Sequence, residues 1–327
     1  MDDLSANVLF SYIVPTIGRT SLATAVQSIL TQEFSGSEFE IIVVNDSGSP
    51  LLEKDWHASP RVRIINTNRS ERSFARNAGA AVARGRYLAF LDDDDWILPG
   101  AFEHFRQLAN RYPRAVWLYG GIRIVDEKGM TLKEINSCLN GNRFAQILGG
   151  AWAPIQSSMV EAQAFFQVGG FSPFIVGTED EDLCRRITFR GEIANTPNTV
   201  ACLFRGQAWN TSTNYLRAPQ DTRYSRDLIL SQPNVFERLI SSANSRYWLG
   251  SILRAYICTI PWYLKKRRIF RALSRLFYSL AFFTRSLPYV FSSEYWQGVK
   301  ADHVPQSQHF EIKEYEEKTS TARSATG

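Results

Sequence analysis

The run Leu88-Ala89-Phe90-Leu91-Asp92-Asp93-Asp94-Asp95-Trp96 sets an apolar segment directly against four consecutive carboxylates and an aromatic ring. Four adjacent acids repel one another. A folded chain accommodates them where a cation, or a bound group carrying one, neutralises their charge. A buried strand that delivers aspartates at its carboxyl end occupies the usual place of a ligand site in an open α/β sheet. The alternative is a solvated acidic turn. The hydrophobic run on one side and Trp96 on the other argue against it.

Working outward, residues 8–14, 40–44, 62–66 and 87–91 are short apolar runs, the pattern of buried strands. Between them lie helix-period segments at 22–30 and 74–84. The second carries Ala75, Ala78, Gly79, Ala80 and Ala81, small residues that allow close packing. After the acids the pattern predicts a helix over 100–112 and a strand over 116–125, which ends in the hairpin-like turn Asp126-Glu127-Lys128-Gly129. Residues 131–156 lack a clear period. Then come a strand at 157–160, a helix at 162–168, a helix at 180–190 and a strand at 199–204. Alternation of strand and helix predicts an α/β fold with a mostly parallel central sheet and helices on both faces.

Composition narrows the class. With 44% hydrophobic and 21% charged residues in 327, the chain has the balance of a globular protein of one large domain or two ordinary ones. The net charge of +5 is unevenly placed: residues 238–293 hold eight Arg and two Lys and no acid. The acidic N-terminus lacks the basic and apolar regions of a signal peptide. Four scattered cysteines match no metal spacing and are expected as reduced thiols. No apolar stretch is long enough to predict a spanning helix. These features predict a cytoplasmic protein.

Five motifs in order resemble the family 2 inverting glycosyltransferases, which have a nucleotide-binding GT-A fold. They are Val14-Pro15-Thr16 with Arg19; residues 40–49; Ala75-Arg76-Asn77-Ala78-Gly79; Gly85-Arg86-Tyr87 running on into Asp92-Asp93-Asp94-Asp95; and Gly169-Gly170-Phe171 followed by Glu179-Asp180 and Asp182-Leu183. Together they span about residues 8–212. The resemblance implies a GT-A catalytic domain over 1–215, a basic aromatic helical region over 216–299 and a mobile polar tail over 300–327.

It also implies roles. Pro15, Thr16, Arg19, Asp46, Arg76, Asp92 and Asp93 fall on the donor side. Asp46 stands where the family recognises the nucleobase, typically uracil. Asn45 replaces the usual first Asp of that pair, and is read either as a base contact or as a turn-stabilising side chain. One of Arg69, Arg72 and Arg76 is expected to touch base or phosphate, with Arg76 favoured. Asp94 is the implied ligand of Mg²⁺ or Mn²⁺, which acts on the leaving diphosphate. Asp95 is read as a cap for the following helix. Asp180 is the implied general base, at a helix N-terminus whose dipole favours a carboxylate. Glu179 and Trp152 are placed at the acceptor or around the base. A His that often completes the family's metal site is Gln207 here, and Trp209 is a minor candidate for sugar stacking.

Beyond 216 the chain is first read as a surface helix or linker. Residues 265–284 then fit a basic amphipathic helix, with Ile269, Leu273, Leu276, Phe277, Leu280 and Phe283 on one side. Such a helix either lies on an anionic membrane surface or packs its apolar side inward. No nucleic-acid motif accompanies the basic residues. The expected activity is metal-assisted transfer of a sugar from a nucleoside-diphosphate sugar, UDP favoured, to a hydroxyl of a glycan or lipid-linked acceptor. Cell-surface polysaccharide synthesis at the inner face of the membrane would suit it. The competing readings are a catalytically impaired nucleotide-sugar-binding protein and a metal-dependent nucleotidyltransferase.

Overall fold

A computed structural model of the chain describes residues 8–33, 39–68, 71–205 and 218–300. The chain divides into two compact units, Met1–Arg143 with Trp152–Thr211, and Phe144–Ala151 with Ser212–Gly327.

In chain order the first unit supplies β1 (Phe10–Thr16), α1 (Leu22–Leu30), β2 (Phe39–Asn45), β3 (Val62–Asn66), α2 (Arg72–Val82), β4 (Tyr87–Phe90), β5 (Trp96–Ile97), α3 (Ala101–Arg111), β6 (Ala115–Val125) and β7 (Thr131–Ile135). The short α4 (Phe144–Gly149) groups with the second unit. The first unit resumes with β8 (Ser158–Glu161), α5 (Ala162–Gln167), α6 (Glu179–Arg190) and β9 (Glu192–Phe204).

The strands form one sheet in the order β3-β2-β1-β4-β8-β6-β9-β5, with β7 added on β6. The first four strands are parallel; β1, β2 and β4 are buried nearly throughout, while β3 at the edge is part-exposed. Beyond β4 the sheet is mixed: β8 runs antiparallel to both β4 and β6, while β9 runs parallel to β6. This makes an α/β sheet whose first half is parallel and whose other half is mixed.

Phe102 of α3 fills one face of the sheet, against Phe10, Tyr12 and Phe39 with ring centroids 4.9–5.5 Å away. On α2 a Cβ at Gly79 would lie 2.5 Å from Ile13 and 2.8 Å from Val44. Only glycine lets this helix sit so close to β1 and β2, and that closeness brings Arg76 over the strand ends. Buried Glu40 ties several segments together. It accepts from the Ser11 hydroxyl at 2.7 Å, the Arg84 backbone N–H at 2.6 Å and Arg63 at 2.7 Å.

Several expectations need correction. β7 was not expected, because it is exposed along nearly its whole length and so shows no buried alternation. β9 starts at Glu192 rather than 199. Pro197 reads as a strand break, and the β6–β9 pairing shifts register in that region instead. Of the surface helix or linker expected over 216–232, the described residues form a helix, and it is partly buried. α7 (Ala218–Leu230) buries Ala218, Thr222, Ser225 and Ile229, and its Arg226 donates to the Leu148 carbonyl at 3.0 Å.

The second unit continues with α8 (Val235–Ile240), α9 (Tyr247–Lys265), α10 (Ile269–Ser286) and α11 (Ser293–Lys300). The single helix expected over 265–284 is therefore the second of a pair. The chain turns between them, with Arg267 at φ 55°. Of the tail expected over 300–327, Lys300 instead ends α11, and 301–327 lie outside the described residues.

α9 and α11 cross at two glycines. A Cβ on Gly250 would lie 2.0 Å from the Tyr295 carbonyl oxygen, and one on Gly298 would lie 2.0 Å from that of Tyr247. Gly298→Ala must force the helices apart. It is expected to cost about 1–3 kcal/mol or more, measured by urea unfolding of the full chain.

Candidate active site

The carboxyl ends of β1, β2 and β4 converge on one region, the place where open parallel sheets bind ligands. Thr16 ends β1 in register with Asn45 of β2. The Asp46 N–H donates to the Thr16 carbonyl at 2.8 Å, and the Asp46 carboxylate accepts from the Thr67 hydroxyl at 2.7 Å. Asn45 is spent on its own loop. Its amide donates to the Ser49 carbonyl at 2.7 Å and to Asn66 at 2.9 Å, while its oxygen accepts from the N–H and hydroxyl of Ser47. Of the two readings left open, the geometry matches the turn-stabilising one, and Asn45 presents Asp46.

The four aspartates have four different surroundings. Asp93 is buried: Thr16 donates its hydroxyl to one oxygen at 2.5 Å, and Arg19 reaches the other at 2.7 Å. Thr16 also accepts from the Gly18 N–H at 3.0 Å, so Asp93 anchors the loop after β1. Asp94 is partly open and meets the same guanidinium at 3.2 Å. Asp95 is buried and accepts from the Phe204 backbone N–H at 2.9 Å. It ties β9 to the acidic turn and caps no helix, a correction to the expectation: the next element is β5, and α3 starts only at Ala101. Asp92 accepts from Arg76 at 2.6 Å and from Gln156 at 3.2 Å.

Asp92, Asp94 and Asp95 each offer an oxygen, and the three oxygens lie within 4.8 Å of one another. Burial, followed by the negative charge of Asp92, pushes both Asp94 and Asp95 above the ordinary carboxylate range, Asp95 well above it. Burial would raise Asp92 too, but Arg76 and Arg72 overcome it and hold this group at about 2. Clustered oxygens with crowded negative charge match what a hard divalent cation requires. The residues present fit Mg²⁺ or Mn²⁺.

Arg76 is the centre of the arrangement. Its side chain is 3% exposed. One nitrogen reaches Asp92 and the other reaches Glu179 at 3.1 Å, and Arg72 approaches the same Glu179 oxygen at 3.4 Å. Arg76 was expected to face base or phosphate; here its two nitrogens join two carboxylates of the chain. Glu179 also accepts from the Gly177 N–H at 2.9 Å, which fixes the entry to α6. The next residue is Asp180. Its oxygens accept from the Trp152 indole N–H at 3.1 Å and from the Glu181 N–H at 2.8 Å. Burial, then the charges of Glu179 and Glu181, raise Asp180 to about 6. Trp152 thus serves as a hydrogen-bond donor to the carboxylate.

Sequence reasoning missed Gln156, which sits in the stretch with no period. It also missed the clamp on Asn77, whose amide donates to the Phe171 carbonyl at 2.8 Å and accepts from the Phe171 N–H at 2.9 Å. Pro15 lies within β1 beside Thr16. Arg69, Gln207 and Trp209 lie outside the described residues.

A family model described as glycosyl transferase family 2 matches residues 11–172, the stretch that holds all of these strand ends. The chain belongs to glycosyltransferase family 2. An uncharacterized glycosyltransferase of Haemophilus influenzae is 27% identical to it over 67% of this chain and 76% of that protein. This glycosyltransferase spans only 31% of a Rickettsia conorii relative, to which it is 29% identical over 55% of its own length. The minor teichoic acid biosynthesis protein GgaB of Bacillus subtilis is 33% identical over 32% of this chain and 12% of that protein. Among solved structures, S. aureus TarS 1-349 in complex with UDP-GlcNAc superposes with a TM-score of 0.59 at 13% identity, covering 82% of this chain and 90% of that one. At that identity the likeness shows the GT-A fold alone.

Arg76→Met leaves Glu179 buried beside no close guanidinium but the more distant Arg72. Removing one partner of a buried ion pair typically costs about 3–5 kcal/mol. A loss of that size is expected in urea unfolding. Arg76→Lys, which cannot span both carboxylates, is expected to recover only part of it.

Proposed function

We propose that this glycosyltransferase moves a sugar from a UDP-sugar to a hydroxyl group of a glycan or lipid-linked acceptor, with inversion at the anomeric carbon. The observation that carries this reading is Asp180. It is a half-buried carboxylate raised to about 6, oriented by Trp152 and Glu181 and linked through Glu179 and Arg76 to the acidic cluster. A base near neutrality can take a proton at physiological pH.

Asp180 accepts the proton of the acceptor hydroxyl. The acceptor oxygen forms its bond to the anomeric carbon while the bond from that carbon to the diphosphate oxygen breaks, and the nucleoside diphosphate departs with the electron pair. A single displacement requires no covalent intermediate and no second carboxylate as nucleophile. Asp94, with Asp92 and Asp95, would hold Mg²⁺ or Mn²⁺; when bound, the ion supplies positive charge to the leaving diphosphate. Asp46 lies at the carboxyl end of β2, where the nucleobase is recognised in this reading, and Asn45 fixes its loop. Thr16, Arg19 and Asp93 shape the loop beside the phosphates, with Pro15 setting its start. Arg76 orients Asp92 and Glu179 together.

UDP is favoured because solved structures of like fold include TarS with UDP-GlcNAc and with UDP. Cell-surface polysaccharide synthesis is favoured by the likeness to GgaB. A lipid-linked acceptor would place the reaction at the inner face of the cell membrane.

Asp180→Asn is expected to lower kcat by about 10²–10⁴-fold while donor binding, read by calorimetry, stays close to wild type. Unchanged turnover would reject the base assignment. Because the base works ionised, kcat/KM should rise with pH through about 6 and then level off, and a flat profile would count against it. A thermal-shift screen of UDP-, GDP- and dTDP-sugars with Mn²⁺ or Mg²⁺ tests the donor. The expected result is a UDP-sugar shift that chelator or Asp94→Ala removes.

A further inference from the structure

α10 is amphipathic in the reverse sense to a helix of a water-soluble core. Its inward side is its polar side: Arg275, Ser279 and Ser286 are buried with Ala272. These groups have partners. The Arg275 guanidinium donates to the Pro219 carbonyl at 2.8 Å and lies over the Tyr256 ring at 5.4 Å. The Ser279 hydroxyl donates to the Leu276 carbonyl at 2.7 Å. Phe282, beside them, meets Trp248 edge-on at 5.9 Å. The helix is therefore seated by specific contacts within its unit.

The outward side is apolar. Phe270 is 89% exposed and Phe277 67%, and Ile269, Leu273, Leu276 and Leu280 are exposed with them. Their spacing places them in one stripe along the helix. A contiguous exposed apolar surface of this kind marks an interaction site. Immediately before it, Lys265, Lys266, Arg267 and Arg268 form an exposed basic turn. Lys265 and Lys266 close α9, while Arg267 and Arg268 lead into the N-terminal end of α10, where the helix dipole is already positive and cations are disfavoured. No acid occurs anywhere between residues 238 and 293.

We infer that the outward face of α10, with the basic turn that precedes it, docks on an anionic lipid surface. The stripe enters the boundary between headgroups and acyl chains, and the cations meet the anionic headgroups, which also relieve the charge at the helix N-terminus. The helix lies in the surface: no helix among the described residues is long and apolar enough to cross a membrane. A second copy of the chain would bring the same cations with no acid in this region to answer them. A nucleic acid would answer the cations and leave the stripe uncovered. The inference does not depend on the sugar-transfer reading, since it concerns binding alone.

The test is co-sedimentation of the full chain with vesicles of phosphatidylcholine alone and of phosphatidylcholine mixed with phosphatidylglycerol. The chain is expected to pellet with the anionic vesicles, to stay in solution with the neutral ones, and to be released by high salt. Leu273→Ser with Phe277→Ser changes only exposed side chains, so the melting temperature should hold while vesicle affinity falls about tenfold or more. Lys266→Gln with Arg268→Gln should weaken binding most at low salt. Failure to pellet with anionic vesicles overturns the inference, as does pelleting that the Leu273 and Phe277 substitutions leave unchanged. A dimer in light scattering that those substitutions turn into monomer, with no vesicle binding, assigns the face to a second copy and equally overturns it.

Discussion

The site depends on one buried guanidinium. Arg76 spans Asp92, at the end of a parallel strand, and Glu179, at the start of a helix 103 residues beyond Arg76 itself. Glu179 is buried and Asp92 half-buried, and burial of a charge is costly unless it is paired. Two carboxylates sharing one planar, two-pronged cation satisfy each other's hydrogen bonds as well as charge. The consequence is geometric: the acidic turn that follows β4 and the first turn of α6 are fixed relative to each other. Gly79 makes this possible, since only a close approach of α2 to the sheet brings Arg76 to that depth.

The same network separates carboxylates that are alike in sequence. Asp92 faces Arg76 and is held at about 2, whereas Asp180, half-buried, faces two acidic neighbours and is raised to about 6. In the proposed reaction the acid held low carries charge and the acid pushed up exchanges a proton. Asp93, between such neighbours, is taken up with Thr16 and Arg19 and serves the loop. Four consecutive aspartates thus become a candidate cation cluster, an anchor for the β1 loop and a tie to β9, according to what each meets.

In the second unit the decisive feature is which side of a helix turns inward. α10 buries Arg275 and Ser279 because Pro219, Tyr256 and the helix's own carbonyls are there to receive them. Its apolar stripe is exposed as a result. The period of the stripe is plain in the sequence; its direction is not, because a helical wheel looks the same whichever side meets the rest of the unit.

What the sequence determined by itself is what local pattern encodes. Runs such as Ile41 to Val44 mark a strand buried on both faces, the Ala and Gly positions of α2 announce a close-packed helix, and the ordered motifs around Asp46, Arg76, Asp92 and Asp180 carry the family. Exposed β7 and the early start of β9 escaped it, because neither shows a hydrophobic period. Only the tertiary structure decided the pairings: Arg76 with Glu179, Asp95 with the Phe204 N–H, Trp152 and Gln156 with their aspartates, and the outward turn of the α10 stripe. Periodicity is a property of neighbours along the chain, whereas a carboxylate's partner and proton affinity are set by groups that only folding brings within a few ångströms.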